Sequence, residues 1–205
     1  MVGNPERRLR RKTAAKSQII KAARKILLNR TTVDSLSLRQ VAQCADYAPA
    51  TIYLYFKNRM ALIVALFEEA LELLSSYILP ALKDRSGVPR LKCVGEAFIK
   101  FAHNHPQDLS LIFQSSAHVP TWDEYVVIAR PFNELVRSIR EDAIKGEIRL
   151  LNGLDETGTA YAFWGLIFGM ADLRHAHLKN VKGDFATYQK TALKCFLKLL
   201  EPTNQ

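Results

Sequence analysis

Arg7, Arg8, Arg10, Arg11 and Lys12, followed by Arg39, Lys57 and Arg59, gather the chemistry that meets a polyanion into the first third of this sequence. Lysine and arginine gain affinity for phosphates by neutralising them and releasing their counterions. Residues 1–60 hold 13 Lys/Arg against 3 Asp/Glu, a net +10, whereas residues 61–205 hold 16 against 17. Such asymmetry points to a polyanionic partner for the basic end, either nucleic acid or an anionic membrane surface, and composition alone does not choose between them.

Other chemistries find little support. The chain has no Gly-x-Ser-x-Gly, no Walker-type phosphate loop, no His-Glu-x-x-His and no Glu-x-x-His pair, so neither a nucleophile nor a catalytic metal is nominated and the chain is not read as an enzyme. His103 with His105, and His175 with His177, are each two apart. That spacing does not put both rings on one helix face, so neither a metal site nor a cofactor is expected. Cys44, Cys93 and Cys195 are an odd number, far apart, which suits a reducing cytoplasm better than a disulfide framework. No secretory leader is read in the first 30 residues, and the longest apolar run, 160–171, is too short for a membrane span.

The elements that must position these groups read as helices throughout. Ile19, Ala22, Ala23, Ile26 and Leu27 recur at three-and-four spacing, predicting a first helix over 14–28. Residues 1–12 read as a separate flexible basic arm, because neighbouring like charges resist packing. It is either a solubility tail or a segment that follows a DNA groove. Ser37 and Gln40 form a capping-box pattern ahead of Leu38, Val41, Ala42 and Ala45, predicting a short second helix that ends near Ala45. Asp46 tolerates a left-handed conformation, and Pro49 suits the first turn of a third helix, read as 49–55. Two short helices joined by a tight turn make a helix-turn-helix, although two ordinary core helices have the same pattern.

The run Ser37-Leu38-Arg39-Gln40-Val41-Ala42, then Ala48-Pro49-Ala50-Thr51-Ile52-Tyr53-Leu54-Tyr55-Phe56-Lys57-Asn58-Arg59, resembles the signature of the TetR (tetracycline-repressor-like) family over residues 16–66. Asp46 stands where that family usually has Gly, Ala48 replaces its hydroxyl cap, Ala50 its common Gly and Arg59 its common Lys. The lost cap at Ala48 costs about 1 kcal/mol. Helical spacing turns Ile52 and Phe56 inward and leaves Pro49, Ala50, Thr51, Tyr53, Leu54 and Tyr55 outside. The resemblance implies that Tyr53, Lys57 and Arg59 hold phosphates, that Thr51 and Tyr55 lie near phosphates or base edges, and that Arg39 reaches a guanine from the helix Ser37 begins. Tyr53 and Tyr55 as packing residues, and Arg39 as a plain solvated charge, are the competing readings.

Beyond this 13–60 module, a connecting helix over 59–79, ended by Pro80, leads into a near-neutral helical region. Candidate helices follow at 90–104, 107–117, 121–148, 155–178 and 184–200, and with no β alternation the fold class is all-α with about nine helices. Phe98, Phe101, Phe113, Trp122, Tyr125, Trp164 and Phe168 are either core or the lining of a pocket for a small, largely apolar or aromatic effector. The resemblance implies an effector site in residues 61–205 and a homodimer built on the last two long helices. Gly158, Ala162, Gly165 and Gly169 put small side chains on one side of the first of these. A dimer places two recognition helices about 34 Å apart, matching a palindromic double-stranded operator. The implied protein is a cytoplasmic transcription regulator, by the family's common mode a repressor released by its effector. The alternative is a peripheral membrane or lipid-binding helical protein whose cationic first helix lies on anionic lipid.

Overall fold

The computed structural model describes residues 5–27, 33–83, 85–115 and 122–202, and among them every regular element is helical. They divide into two compact units: 1–70 with 111–120, and 71–110 with 121–205. Two helices, α4 (Arg59–Ala81) and α6 (Pro106–Ser115), contribute residues to both.

In the first unit, α1 spans Pro5–Leu27. Pro5 begins it, Glu6 lies in its first turn, and Arg24 and Lys25 lie in its last, each complementing the helix dipole. The basic run expected as a separate arm is therefore helical from Pro5 onward. Arg7, Arg10, Arg11 and Lys12 keep their heads in water, so mutual repulsion is screened, and arginine and lysine are good helix formers. The buried stripe is Ala15, Ile19, Ala22 and Ala23.

A 3-10 turn at Val33–Ser35 precedes α2 (Leu38–Cys44), which buries Leu38, Val41 and Ala42. Ser37 occupies the N-cap but its side chain makes no capping hydrogen bond, so the Ser37 half of the expected capping box does not form. The end of α2 is a Schellman motif. Tyr47 N–H donates to the Ala42 carbonyl at 2.9 Å and Asp46 N–H to Gln43 at 3.3 Å, with Asp46 at φ +58°.

Helix α3 is shorter than expected. It is α-helical over Pro49–Ile52, and residues 53–55 continue as tight turns in which Leu54 N–H reaches Thr51 and Tyr55 N–H reaches Ile52. Asn58 then caps α4, its Oδ1 accepting from Ala61 N–H at 2.8 Å. Leu62, Ile63, Leu66 and Phe67 form the buried face of this unit's share of α4.

The second unit holds the remainder of α4, α5 (Gly87–Asn104), α7 (Trp122–Ile144), α8 (Glu156–Asp172) and α9 (Phe185–Lys198). Pro80 lies inside α4, which ends one residue later. So close to a C-terminus a proline costs little of the hydrogen-bond ladder. The helix expected over 155–178 is α-helical only to Asp172, and Leu173–His177 form a π-helical turn. Asp155 caps α8 by accepting from Gly158 N–H at 2.7 Å, and Asp184 caps α9 by accepting from Thr187 N–H at 3.2 Å.

Helices α5 and α7 are joined by a buried charge pair. Arg90 Nη1 lies 3.3 Å from Asp142 Oδ1, while Asp142 Oδ2 accepts from Gly87 N–H at 2.8 Å. Burial pushes the Asp142 carboxyl above its ordinary value, opposed by the Gly87 N–H and by Arg90. Among the described residues no helix is long and apolar enough to cross a membrane.

Candidate nucleic-acid interface

The α2–α3 pair is held by its apolar side. Ile52 is 0% exposed and Phe56 3%, whereas Tyr53 and Leu54 between them are 59% and 76% exposed. Burying Ile52 and Phe56 fixes the roll of α3 and thereby aims Tyr53 and Leu54 outward. Pro49, Ala50 and Lys57 are also exposed, and Thr51, Tyr55 and Arg59 are half-buried. On α2, Arg39 is exposed and Ser37 half-buried.

Where α2 turns into α3, Arg39, Gln43, Asp46, Tyr47, Ala48 and Pro49 line a groove of about 510 Å³. Gln43 and Tyr47 escaped the sequence reading. Gln43 follows Arg39 by one helical turn and so shares its face, which is the signal that could have found it. Tyr47 also ties the turn to α1, its hydroxyl donating to Gln18 Oε1 at 2.6 Å. Lys16 sits 5.9 Å over the Phe56 ring, and Arg24 pairs with Glu69 at 3.4 Å. The exposed groups are phenol hydroxyls, a guanidinium, an ammonium and an amide, able to donate to phosphates and base edges, with the Asp46 carboxylate able only to accept and Leu54 and Ala50 able only to pack.

In the second unit the structure brings four of the seven aromatic candidates together. Phe98 lies 4.6 Å from Phe168 and 5.9 Å from Trp164, ring centre to ring centre, and Phe101 lies 6.3 Å from Phe98. Phe132 and Tyr77 extend the cluster, at 6.0 Å from Trp164 and 5.7 Å from Phe101. Phe98 and Phe101 are fully buried, whereas Trp164 and Phe168 are half-buried. Phe113 belongs to the first unit. The side chains of Trp122 and Tyr125 lie outside the described residues.

His105, two residues from His103, joins the aromatic cluster instead of pairing with it, its Nε2 lying 3.0 Å from the Tyr77 hydroxyl. Among the described residues no three His, Cys, Asp or Glu side chains gather as metal ligands. On α8, a methyl group built at Gly165 or Gly169 meets nothing within 4 Å, and Tyr161 on the same side is 74% exposed.

Residues 19–66 match the sequence profile of the bacterial regulatory proteins of the tetR family. No curated protein matches the chain in sequence. Among solved structures, a protein of unknown function from Rhodococcus sp. RHA1 superposes with a TM-score of 0.76 at 23% identity, over 91% of this chain and 95% of its own. The transcriptional regulator FadR from Bacillus subtilis, solved in complex with stearoyl-CoA, gives 0.68 at 22% identity over 88% and 97%. AibR, solved in complex with isovaleryl coenzyme A and operator DNA, gives 0.69 at 16% identity over 93% and 100%. At these identities the likeness is one of fold.

Proposed function

By its residues 19–66 the chain belongs to the tetR family of bacterial regulatory proteins, and on that premise we propose that it is a homodimeric, ligand-released transcriptional repressor. It acts in the cytoplasm by binding rather than by turnover. The observation that carries this reading is the outward presentation of Tyr53 and Leu54 on a helix whose Ile52 and Phe56 are buried. Solvent exposure of a large aromatic beside a large aliphatic residue, on a basic module, is what a major-groove reader presents to DNA.

In this reading Tyr53, Lys57 and Arg59 hold phosphates, and Thr51, Tyr55 and Arg39 address phosphates or base edges. Pro49 and Ala50 allow α3 to approach the groove closely, and Ser37 positions α2. The open Gly165–Gly169 side of α8, with α9, meets its copy in a second chain. That sets two α3 helices on successive turns of a palindrome. The effector is an acyl thioester of coenzyme A, because two proteins of the same fold were solved with such compounds. The aromatic cluster of Phe98, Phe101, Trp164 and Phe168 forms the wall nearest its acyl chain.

Selection of bound sequences from a random duplex pool, at fixed moderate salt, tests this reading with Tyr53→Ala and Arg39→Ala beside the parent. The expected result is an enriched inverted repeat that both variants lose and that long-chain acyl-CoA releases. Absence of any enriched sequence would refute it.

A further inference from the structure

Along α5, the second unit carries a groove of about 760 Å³. Three segments distant in sequence build it. Lys100 and His103 come from α5, Arg174, His175 and Lys179 from the π-helical turn and the residues after it, and Lys190 from α9. Four permanent cations and two imidazoles thus converge, against two carboxylates, Glu96 and Asp184.

Both carboxylates are already engaged. Glu96 lies 3.9 Å from Lys92, and Asp184 caps α9 through the Thr187 N–H. Arg174 is held in place, its guanidinium 4.9 Å over the Phe185 ring and Nη1 donating to the Leu178 carbonyl at 3.1 Å. Among the described residues Lys100, Lys179 and Lys190 form no ion pair. Although Asp184 lies within the field of Lys190, the four cations outnumber the two carboxylates, and a concavity with an excess of one sign of charge concentrates its potential, which a flat, solvated surface does not. Ile99, Phe185 and the edge of Leu193 add an apolar floor. The His175 imidazole is held below its ordinary value by burial, then by Arg174 and His103, as expected of a ring inside a positive field.

We infer that this groove binds the phosphate-bearing nucleotide end of the effector, with Lys100, Lys190 and Arg174 pairing its phosphates and the floor of Ile99 and Phe185 taking its base. The volume exceeds what a lone phosphate needs and lies in the range of sites for nucleotide-sized molecules. This assignment rests on the acyl-CoA reading above for the identity of the ligand, but its test does not require DNA.

Calorimetric titration of the full chain with coenzyme A, adenosine bisphosphate and an acyl-pantetheine lacking the nucleotide decides the matter. Lys100→Gln/Lys190→Gln is run beside the parent, and Lys145→Gln, at an exposed position after α7, serves as the charge control. The double variant should bind coenzyme A and adenosine bisphosphate at least tenfold more weakly, with acyl-pantetheine binding and melting temperature unchanged. The parent should take up protons on binding, as an anion raises the affinity of His175 for its proton.

Equal affinity in the double variant, or no binding of either nucleotide by the parent, overturns the assignment whatever the DNA experiment gives. A double variant that instead loses operator affinity, or changes oligomeric state while nucleotide binding is absent, makes the groove a DNA or subunit contact and also overturns it. Nucleotide binding lost in the variant, with no sequence enriched from the duplex pool, leaves the groove standing and removes the repressor reading.

Discussion

Asp46 and Gly146 occupy the same position of the same helix ending, one after α2 and the other after α7. Each has positive φ, +58° and +71° respectively, and each is followed by a residue whose N–H reaches back five positions, Tyr47 to Ala42 and Glu147 to Asp142. The motif favours glycine because a side chain in the left-handed region crowds its own carbonyl. At Gly146 that preference is met. At Asp46 it is not, and the carboxylate also lines the groove that holds Arg39.

Asp46 therefore carries two separable costs. Asp46→Gly should stabilise the fold by up to about 1 kcal/mol, and Asp46→Val should destabilise it by about 1–2 kcal/mol, since β-branching suits this conformation least. Urea unfolding checks both. Asp46→Asn keeps a residue tolerant of the left-handed region but removes the charge, so it should bind duplex DNA more tightly than the parent at low salt, with stability little changed. Unchanged DNA affinity in that variant would mean that phosphates do not pass near this turn.

The sequence shows the roll of α3 because Ile52 and Phe56 repeat at the helical period, and burial follows period. It misleads at residues 5–12, where clustered like charge suggests an arm. Charge opposes packing, but not helix formation on a face that stays in water. Ser37 matches a capping box by residue type, yet a side-chain rotamer decides whether the bond forms, and type does not fix the rotamer. The groove of Lys100, Arg174 and Lys190 was not legible, since no local pattern links positions that only the packing of α5, the π-helical turn after α8, and α9 brings together.

Phosphate and base contacts separate by their dependence on salt and sequence. Lys57→Ala should weaken binding to every duplex alike and lower the salt slope by about 1. Leu54→Asn should leave the slope unchanged and reduce preference for T·A at one position of each half-site, as a thymine methyl loses its apolar partner. Binding isotherms at several salt concentrations, over single-base operator variants, measure both. A slope change in the Leu54 variant would contradict the assignment.

His175 makes stability depend on pH. Burial, Arg174 and His103 hold its folded-state value below the ordinary one of about 6.5. The folded protein thus binds fewer protons than the unfolded chain in that interval, and stability contributed by the neutral ring is complete above the unfolded value and lost as pH falls through the folded one. Arg174 and His103 act on the ring directly, and the groove it lines also carries Glu96 and Lys100 from α5, Lys179, the α9 cap Asp184, and Lys190 from α9. Between about pH 7.5 and about pH 5 the parent should lose more stability than His175→Gln. Parallel pH profiles for the two would show that the ring titrates as it does in water.

Gly95 is where α5 and α9 approach each other. A methyl group there would lie 2.7 Å and 2.8 Å from the two terminal carbons of Leu193, which is itself 3% exposed. Gly95→Ala gains about 1 kcal/mol of helix propensity but overpacks the crossing by about 1–3 kcal/mol, so the net effect should be destabilising. Leu193→Ala alone should cost about 2–5 kcal/mol by leaving a cavity. In that background the obstruction is gone, and Gly95→Ala should become stabilising by about 1 kcal/mol, helix propensity being the only term left. The reversal of sign, measured by urea unfolding of the four proteins, isolates the contact from the propensity. If Gly95→Ala has the same effect in both backgrounds, Leu193 yields without cost and the closeness of the two helices is not what the glycine serves.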